Sequence, residues 1–163
     1  MSTLPFLLSL LIYAGYLPLA LWLAIVDVRE HRLPNRQVLA LNLWVFLCLA
    51  VSWFAVPAAG TLILFSAAAA LIVGIGAVTL SLFFPSLLGM GDAKALPAVV
   101  ALGLLGGPFS ALAGFLWLLA VAGCWALLSL LRGNSRIPLG PALLSAPPMG
   151  AVLASHLQGA LVG

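Results

Sequence analysis

Thr61-Leu-Ile-Leu-Phe-Ser-Ala-Ala-Ala-Ala-Leu-Ile-Val-Gly-Ile-Gly-Ala-Val-Thr-Leu-Ser-Leu-Phe-Phe84 is a stretch of 24 residues without a charged side chain. A helix made from it would have no polar face to offer water, whereas roughly 20 apolar residues in helical form span the hydrocarbon core of a bilayer. Leu4 to Val26, Val38 to Val56 and Phe109 to Leu131 are equally free of charge. Across all 163 residues 65% are hydrophobic and 6% charged, against about a quarter charged in an ordinary soluble domain. The composition excludes a water-soluble globular protein. It predicts an all-α, polytopic integral membrane protein folded as a single transmembrane domain over residues 1–163.

Two further segments are less regular. Ala95 to Gly107 is too short to cross alone, so a full span there has to begin near Leu87 and carry Asp92 and Lys94 in its first turns. Ile137 to Val162 is long enough but contains Pro138, Pro141, Pro147 and Pro148. Proline removes backbone donors and kinks or interrupts a helix, so a broken sixth span is expected. The apolar run after Met1-Ser2-Thr3 has no preceding Lys or Arg and exceeds a signal-peptide core, and it is read as a retained span. Cys48 and Cys124 are single and lack a Cys-x-x-Cys partner, which points to packing residues rather than a disulfide or metal site.

With about six spans, all six Lys and Arg residues fall on one side of the membrane. Arg29, Arg32 and Arg36 occupy the first connection, Lys94 the third, and Arg132 and Arg136 the fifth, while the second and fourth are bare. The positive-inside rule makes that side cytoplasmic and turns both termini outward. The net charge of +3 is accounted for by topology and contact with membrane lipid, so no nucleic acid partner is implied.

The same topology organises the acids. Only Asp27, Glu30 and Asp92 occur, and a carboxylate near hydrocarbon carries a desolvation cost that asks for a reason. Asp27 ends the first span and Asp92 opens the fourth, so two intervening crossings return the chain to the same face. Carboxyl groups that share a site do not readily both ionise; one keeps a proton while the other acts as base toward water. This is the chemistry of aspartic proteases.

Asp27-Val28-Arg29-Glu30-His31-Arg32-Leu33-Pro34-Asn35, an aspartate at a helix end followed by Pro-Asn, resembles the first signature of the type IV prepilin leader peptidases. Gly89-Met90-Gly91-Asp92-Ala93-Lys94 resembles their second, Gly-x-Gly-Asp-x-Lys. Ile137-Pro138-Leu139-Gly140-Pro141 is similar to the proline-rich segment of their last span. The resemblance covers essentially the whole chain, in order. It implies an intramembrane GxGD-type aspartyl protease architecture in the bacterial cytoplasmic (inner) membrane. The implied activity is that of an endopeptidase removing the basic leader of type IV prepilins or pseudopilins at the cytoplasmic face, in the service of pilus assembly and protein secretion.

Carried over by position, Asp27 and Asp92 are the catalytic pair, and no cofactor or metal is implied. Gly89 and Gly91, lacking Cβ atoms, would let the backbone beside Asp92 take unusual dihedrals and a substrate strand approach. Lys94 would orient Asp92, meet a polar substrate group, or anchor the span at the interface. Longer members add an N-terminal segment with paired Cys-x-x-Cys motifs linked to methylation. That pattern is missing from this sequence, so cleavage without methyl transfer is implied, as in the short peptidases of Flp-type (Tad/Cpa) pilus systems.

Other residues take plainer roles. Glu30 reads as a loop charge beside Arg29 and Arg32, His31 as a solvated or lipid-facing loop residue, and His156 as remote from both aspartates. Asn35 is expected to cap the second span. Trp22, Trp44, Trp53, Trp117 and Trp125 fit interface anchoring and packing, and Gly74, Gly76, Gly114 and Gly123 fit close helix approach. Two other classes remain open. Presenilin-type proteases share Gly-x-Gly-Asp and a Pro-Ala-Leu motif, which occurs here at Pro141-Ala142-Leu143, but their first aspartate has a different context. A small proton- or cation-coupled transporter subunit would hold its acids at mid-membrane depth.

Overall fold

The structure, a computed structural model, describes residues 6–30, 33–84, 89–131 and 139–162. Its elements are α1 (Phe6–Glu30), α2 (Asn35–Ala55), a 3₁₀ turn (Pro57–Ala59), α3 (Gly60–Phe83), α4 (Met90–Leu105), α5 (Pro108–Leu131) and α6 (Gly140–Val162). Among the described residues there is no strand, so the expected all-helical membrane class holds. Leu8–Glu30, Asn35–Ala55, Pro57–Phe83 and Pro108–Leu131 are long and apolar enough to cross a bilayer. The 16 residues of α4 extend about 24 Å at 1.5 Å per residue, short of a hydrocarbon core of about 30 Å.

Local chemistry sets the breaks. Val56 leaves the helical region (φ −135°, ψ 74°) ahead of Pro57, whose ring disfavours a helical residue before it, and α2 ends there. Between α4 and α5 the chain turns through Gly107 at φ +93°, a region that side chains disfavour. Pro108 then opens α5 at a position where its missing amide is harmless.

The helix with the weakest apolar run occupies the middle of the bundle. α4 packs against α2, α3, α5 and α6. Its inward positions are mostly small: Ala93, Ala95, Ala98 and Ala101 are fully buried. Small residues let helix backbones approach where lipid gives no hydrophobic drive for association. The outer helices turn large apolar side chains outward, such as Phe54 (81% exposed) and Phe83 (75%), a surface suited only to lipid.

Two of the four glycines expected at close approaches are there. A methyl group on Gly74 would come 2.5 Å from Pro97 Cγ, and one on Gly114 2.7 Å from the Ala146 carbonyl oxygen. Gly76 and Gly123 instead face open space, because they point away from the neighbouring helix. Trp44 and Trp117 tie helices together rather than marking the interface. Trp44 Nε1 donates to the Ile12 carbonyl at 3.1 Å, its ring filling the space left by Gly15, and Trp117 Nε1 donates to Ser145 Oγ at 3.0 Å.

The break expected in the last helix is not present from Gly140 onward. α6 runs unbroken to Val162 through Pro147 and Pro148; Ile137 and Pro138 lie outside the described residues. The two prolines withdraw the amides that would reach the carbonyls of Leu143 and Leu144. Tyr16 of α1, itself wholly buried, donates its hydroxyl to the Leu144 carbonyl at 2.8 Å and replaces one of them. Pro141 falls in the first turn, where no amide partner is lost. Tyr16→Phe is therefore expected to destabilise the fold by about 1 kcal/mol, the scale of an interhelical hydrogen bond in a membrane. Thermal unfolding in detergent measures this, and an unchanged midpoint would reject the replacement role of Tyr16.

Candidate active site

The C-terminal end of α1 and the N-terminal ends of α2, α4 and α6 converge at one end of the bundle. Every charged residue within the described helices lies there: Asp27, Arg29, Glu30, Arg36, Asp92 and Lys94. Asp27, in the last turn of α1, is 5% exposed despite its charge. Its Oδ2 accepts the amide hydrogen of Gly140, the first residue of α6, at 2.9 Å. The contact is possible because position 140 has no side chain. A Cβ there would stand 2.7 Å from Oδ2 and 2.9 Å from Cγ of Asp27.

Asp92 lies in the first turn of α4, three residues after the extended Gly89 (φ −63°, ψ 140°) that precedes the helix. Its carboxyl folds back toward that residue, with Oδ2 3.2 Å from where a Gly89 Cβ would be. Asp92 Oδ1 is buried and has no hydrogen-bond partner among the described residues. The two carboxyl groups stand at the same end of the bundle, Asp27 tied to the start of α6 and Asp92 at the start of α4. Both also sit at helix N-termini, Asp92 on its own helix and Asp27 against α6, where the unpaired amides carry partial positive charge. The two aspartates therefore share one end of the bundle, as topology requires.

The residues around the pair differ from expectation in three ways. Gly89 and Gly91 have ordinary dihedrals: Gly89 is extended, Gly91 is helical, and the single positive φ among the described glycines is at Gly107. The space at Gly91 is taken by the protein itself. A Cβ there would lie 2.9 Å from Leu33 Cβ and 3.2 Å from Leu33 N, so this glycine seats α4 against the segment leading into α2.

Asn35 does not cap α2. Pro34 holds the cap position without a side-chain bond, and its carbonyl accepts from Gln37 and Val38 amides at 3.2 Å. The Asn35 Oδ1 instead accepts from Lys94 Nζ at 3.0 Å. Lys94 thus links α4 to α2, and residues two positions apart on a helix, as Asp92 and Lys94 are, do not face each other.

Two contributors have no motif of their own. Asn42 donates through Nδ2 to the carbonyls of Val38 (2.8 Å) and Lys94 (2.9 Å), fixing the first turns of α4 on α2. A lone amide inside the Val38 to Val56 run was the available signal. Gly140 lies in the proline-rich Ile137–Pro141 segment, but nothing local reveals that its amide meets Asp27. Glu30 is exposed at the end of α1, whereas His31, Arg32, Arg132 and Arg136 lie outside the described residues. His156 is sixteen residues along α6 from Gly140, about 24 Å away. Among the described residues, no three His, Cys, Asp or Glu side chains are grouped to hold a metal ion.

Compared with known proteins, the chain matches no family model, no curated protein and no solved structure. Fold and site together define a class: an all-helical membrane protein with several apolar helices long enough to cross the bilayer, and two carboxyl groups at one end.

Proposed function

We propose that this chain is a membrane aspartic endopeptidase that removes the basic leader from type IV prepilins, of the Flp type, or from pseudopilins. One observation carries the reading. Two of the three acids in the whole chain, from helices far apart in sequence, lie at the bundle end that holds the other charged residues of the described helices, Asp27 buried and Asp92 with one buried carboxyl oxygen. Each belongs to a motif that resembles a signature of the prepilin leader peptidases.

In this mechanism one carboxylate takes a proton from water, whose oxygen attacks the scissile carbonyl carbon. The protonated partner donates to the carbonyl oxygen, and collapse of the tetrahedral species returns a proton to the departing amine. Asp27 suits the base: the Gly140 amide engages Oδ2 and fixes the carboxyl in place. Asp92, with Oδ1 unpartnered, suits the group that carries the proton to the substrate. The test is co-expression with a Flp-type prepilin in a host stripped of its own leader peptidases, with the product identified by its new N-terminus. A prepilin that stays full length would refute the reading.

The proposal includes six crossings of the bacterial inner membrane, with the carboxylates on the cytoplasmic side and both termini outside. In a background carrying Cys48→Ala and Cys124→Ala, Arg36→Cys is expected to react with a membrane-impermeant thiol reagent only in inverted vesicles. Ala58→Cys, in the exposed 3₁₀ turn, is expected to react only in intact spheroplasts. The opposite pattern would reverse the orientation and take the active site off the cytoplasmic face.

A further inference from the structure

Pro97 lies inside α4, whose first turn carries Asp92. It has no amide to give to the Ala93 carbonyl, so the helical ladder lacks one rung directly after that turn. The Pro97 ring itself fills the space in front of Gly74 of α3. The body of α4 is thereby seated on α3, while its first turn is joined to that body by a weakened backbone.

That turn is fastened instead to α2 and the residues before it. Gly91 rests on Leu33, Lys94 Nζ donates to Asn35 Oδ1 at 3.0 Å, and Asn42 Nδ2 donates to the Lys94 carbonyl at 2.9 Å. The three ties are unequal. The lysine bond is exposed and rides on a flexible four-carbon stem, and the Leu33 contact resists approach but not withdrawal. Asn42 grips the backbone itself, two residues or about 3 Å along the axis from Asp92. Its other amide hydrogen goes to the Val38 carbonyl of its own helix at 2.8 Å, which fixes the side chain in the orientation that reaches Lys94. A carbonyl has two lone pairs, so the Lys94 oxygen can take this bond beside a helical one.

We propose that Asn42 is a positioning residue for Asp92: it holds the first turn of α4 to α2 across the rung that Pro97 removes, and so sets where the Asp92 carboxyl stands. What that position serves rests on the peptidase reading; the attachment does not. Displacing a reacting group by about 1 Å can cost a hundredfold in rate.

Asn42→Leu keeps the size of the side chain and suits a membrane helix, but it has no donor. In proteoliposomes, with a Flp-type prepilin as substrate, it is expected to lower kcat at least tenfold and to alter KM less than threefold. The same substitution is then made in a chain carrying Gly74→Ala and Pro97→Ala. There residue 97 regains its amide, and the methyl group at position 74 takes up the space the ring vacates. The turn is then held by α4 itself, so Asn42→Leu is expected to cost less than threefold in kcat. A role confined to stability would cost the same in both backgrounds. Tyr16→Phe, which removes a hydrogen bond between α1 and α6 instead, is expected to leave kcat of the folded protein unchanged.

Hydrogen exchange in the same vesicles reads the attachment without any substrate. The amides of Lys94, Ala95 and Leu96 have their helical acceptors in the first turn. They are expected to exchange at least tenfold faster in Asn42→Leu, and less than threefold faster when Gly74→Ala and Pro97→Ala are also present. Exchange that does not rise with Asn42→Leu overturns the attachment. An active enzyme whose kcat is unaffected by Asn42→Leu, or falls equally in both backgrounds, overturns the positioning role and leaves the peptidase reading intact. A wild type that cleaves no prepilin overturns the peptidase reading and the positioning role with it, and the exchange pattern then decides the attachment alone.

Discussion

Asp27→Asn and Asp92→Asn will each lower prepilin cleavage by about a thousandfold or more, within the range that loss of a general acid or base produces. The substitution is chosen for its shape. An asparagine at position 27 keeps an oxygen that can accept the Gly140 amide hydrogen, so the tie between α1 and α6 survives while the capacity to take a proton from water is lost. At position 92 the amide presents a donor but no transferable proton. Since the two carboxyls act as a unit, the double variant is expected to be no slower than the slower single one. Wild-type melting temperatures in detergent would confirm that folding is preserved. A single variant that retains more than a tenth of the wild-type rate would sink the two-aspartate mechanism.

What could be read from the sequence here was what a single helix encodes. The charge-free runs around Thr61–Phe84 announced membrane helices because the requirement for about 20 apolar residues is local. The placing of Asp27 and Asp92 at one end of the bundle was legible for a different reason: counting crossings fixes which helix ends share a face, whatever the side-chain details. The remaining features depended on groups supplied from elsewhere in the chain. Pro147 and Pro148 looked like a break, and nothing near them reveals that Tyr16, on the far side of the sequence, satisfies the Leu144 carbonyl.

Asn35 carried a sound local argument for capping, yet Lys94 competes for its oxygen. Charge outweighs a neutral amide as a donor, since hydrogen bonds from an ionised group are roughly twice as strong. The residue type at Gly91 suggests conformational freedom that the helix does not use; its value lies in Leu33, which only the folded chain brings near. The missed residues share this character. Asn42 and Gly140 act through backbone groups, the Lys94 carbonyl and the Gly140 amide, and backbone chemistry leaves no trace in residue type.

The largest loss of stability is expected at the crossing of α5 and α6, the pair with the most extensive contact in the bundle. Gly150 faces only backbone there. A Cβ on it would stand 2.7 Å from the Gly114 nitrogen and 2.8 Å from the Gly114 Cα, and would also meet the Ser110 carbonyl oxygen. None of these atoms can rotate aside as the end of a side chain does, so Gly150→Ala must push two helix axes apart. Overpacking of this kind costs about 1–3 kcal/mol and sometimes more, and the all-backbone surroundings place Gly150→Ala near the top of that range.

Gly76→Ala is the matched control, since a methyl group there meets nothing within 4 Å. It is expected to leave stability unchanged or to raise it by up to about 1 kcal/mol through helix propensity. Unfolding midpoints in one detergent, measured side by side, decide the matter: equal midpoints for the two variants would mean that α5 and α6 do not cross at Gly114 and Gly150. The comparison also bears on the carboxylates. α6 reaches Asp27 only because its N-terminal residue is held in place, and a helix displaced at Gly150 carries the Gly140 amide with it. Loss of cleavage in Gly150→Ala beyond its unfolded fraction would tie the α5–α6 contact to the geometry of the pair.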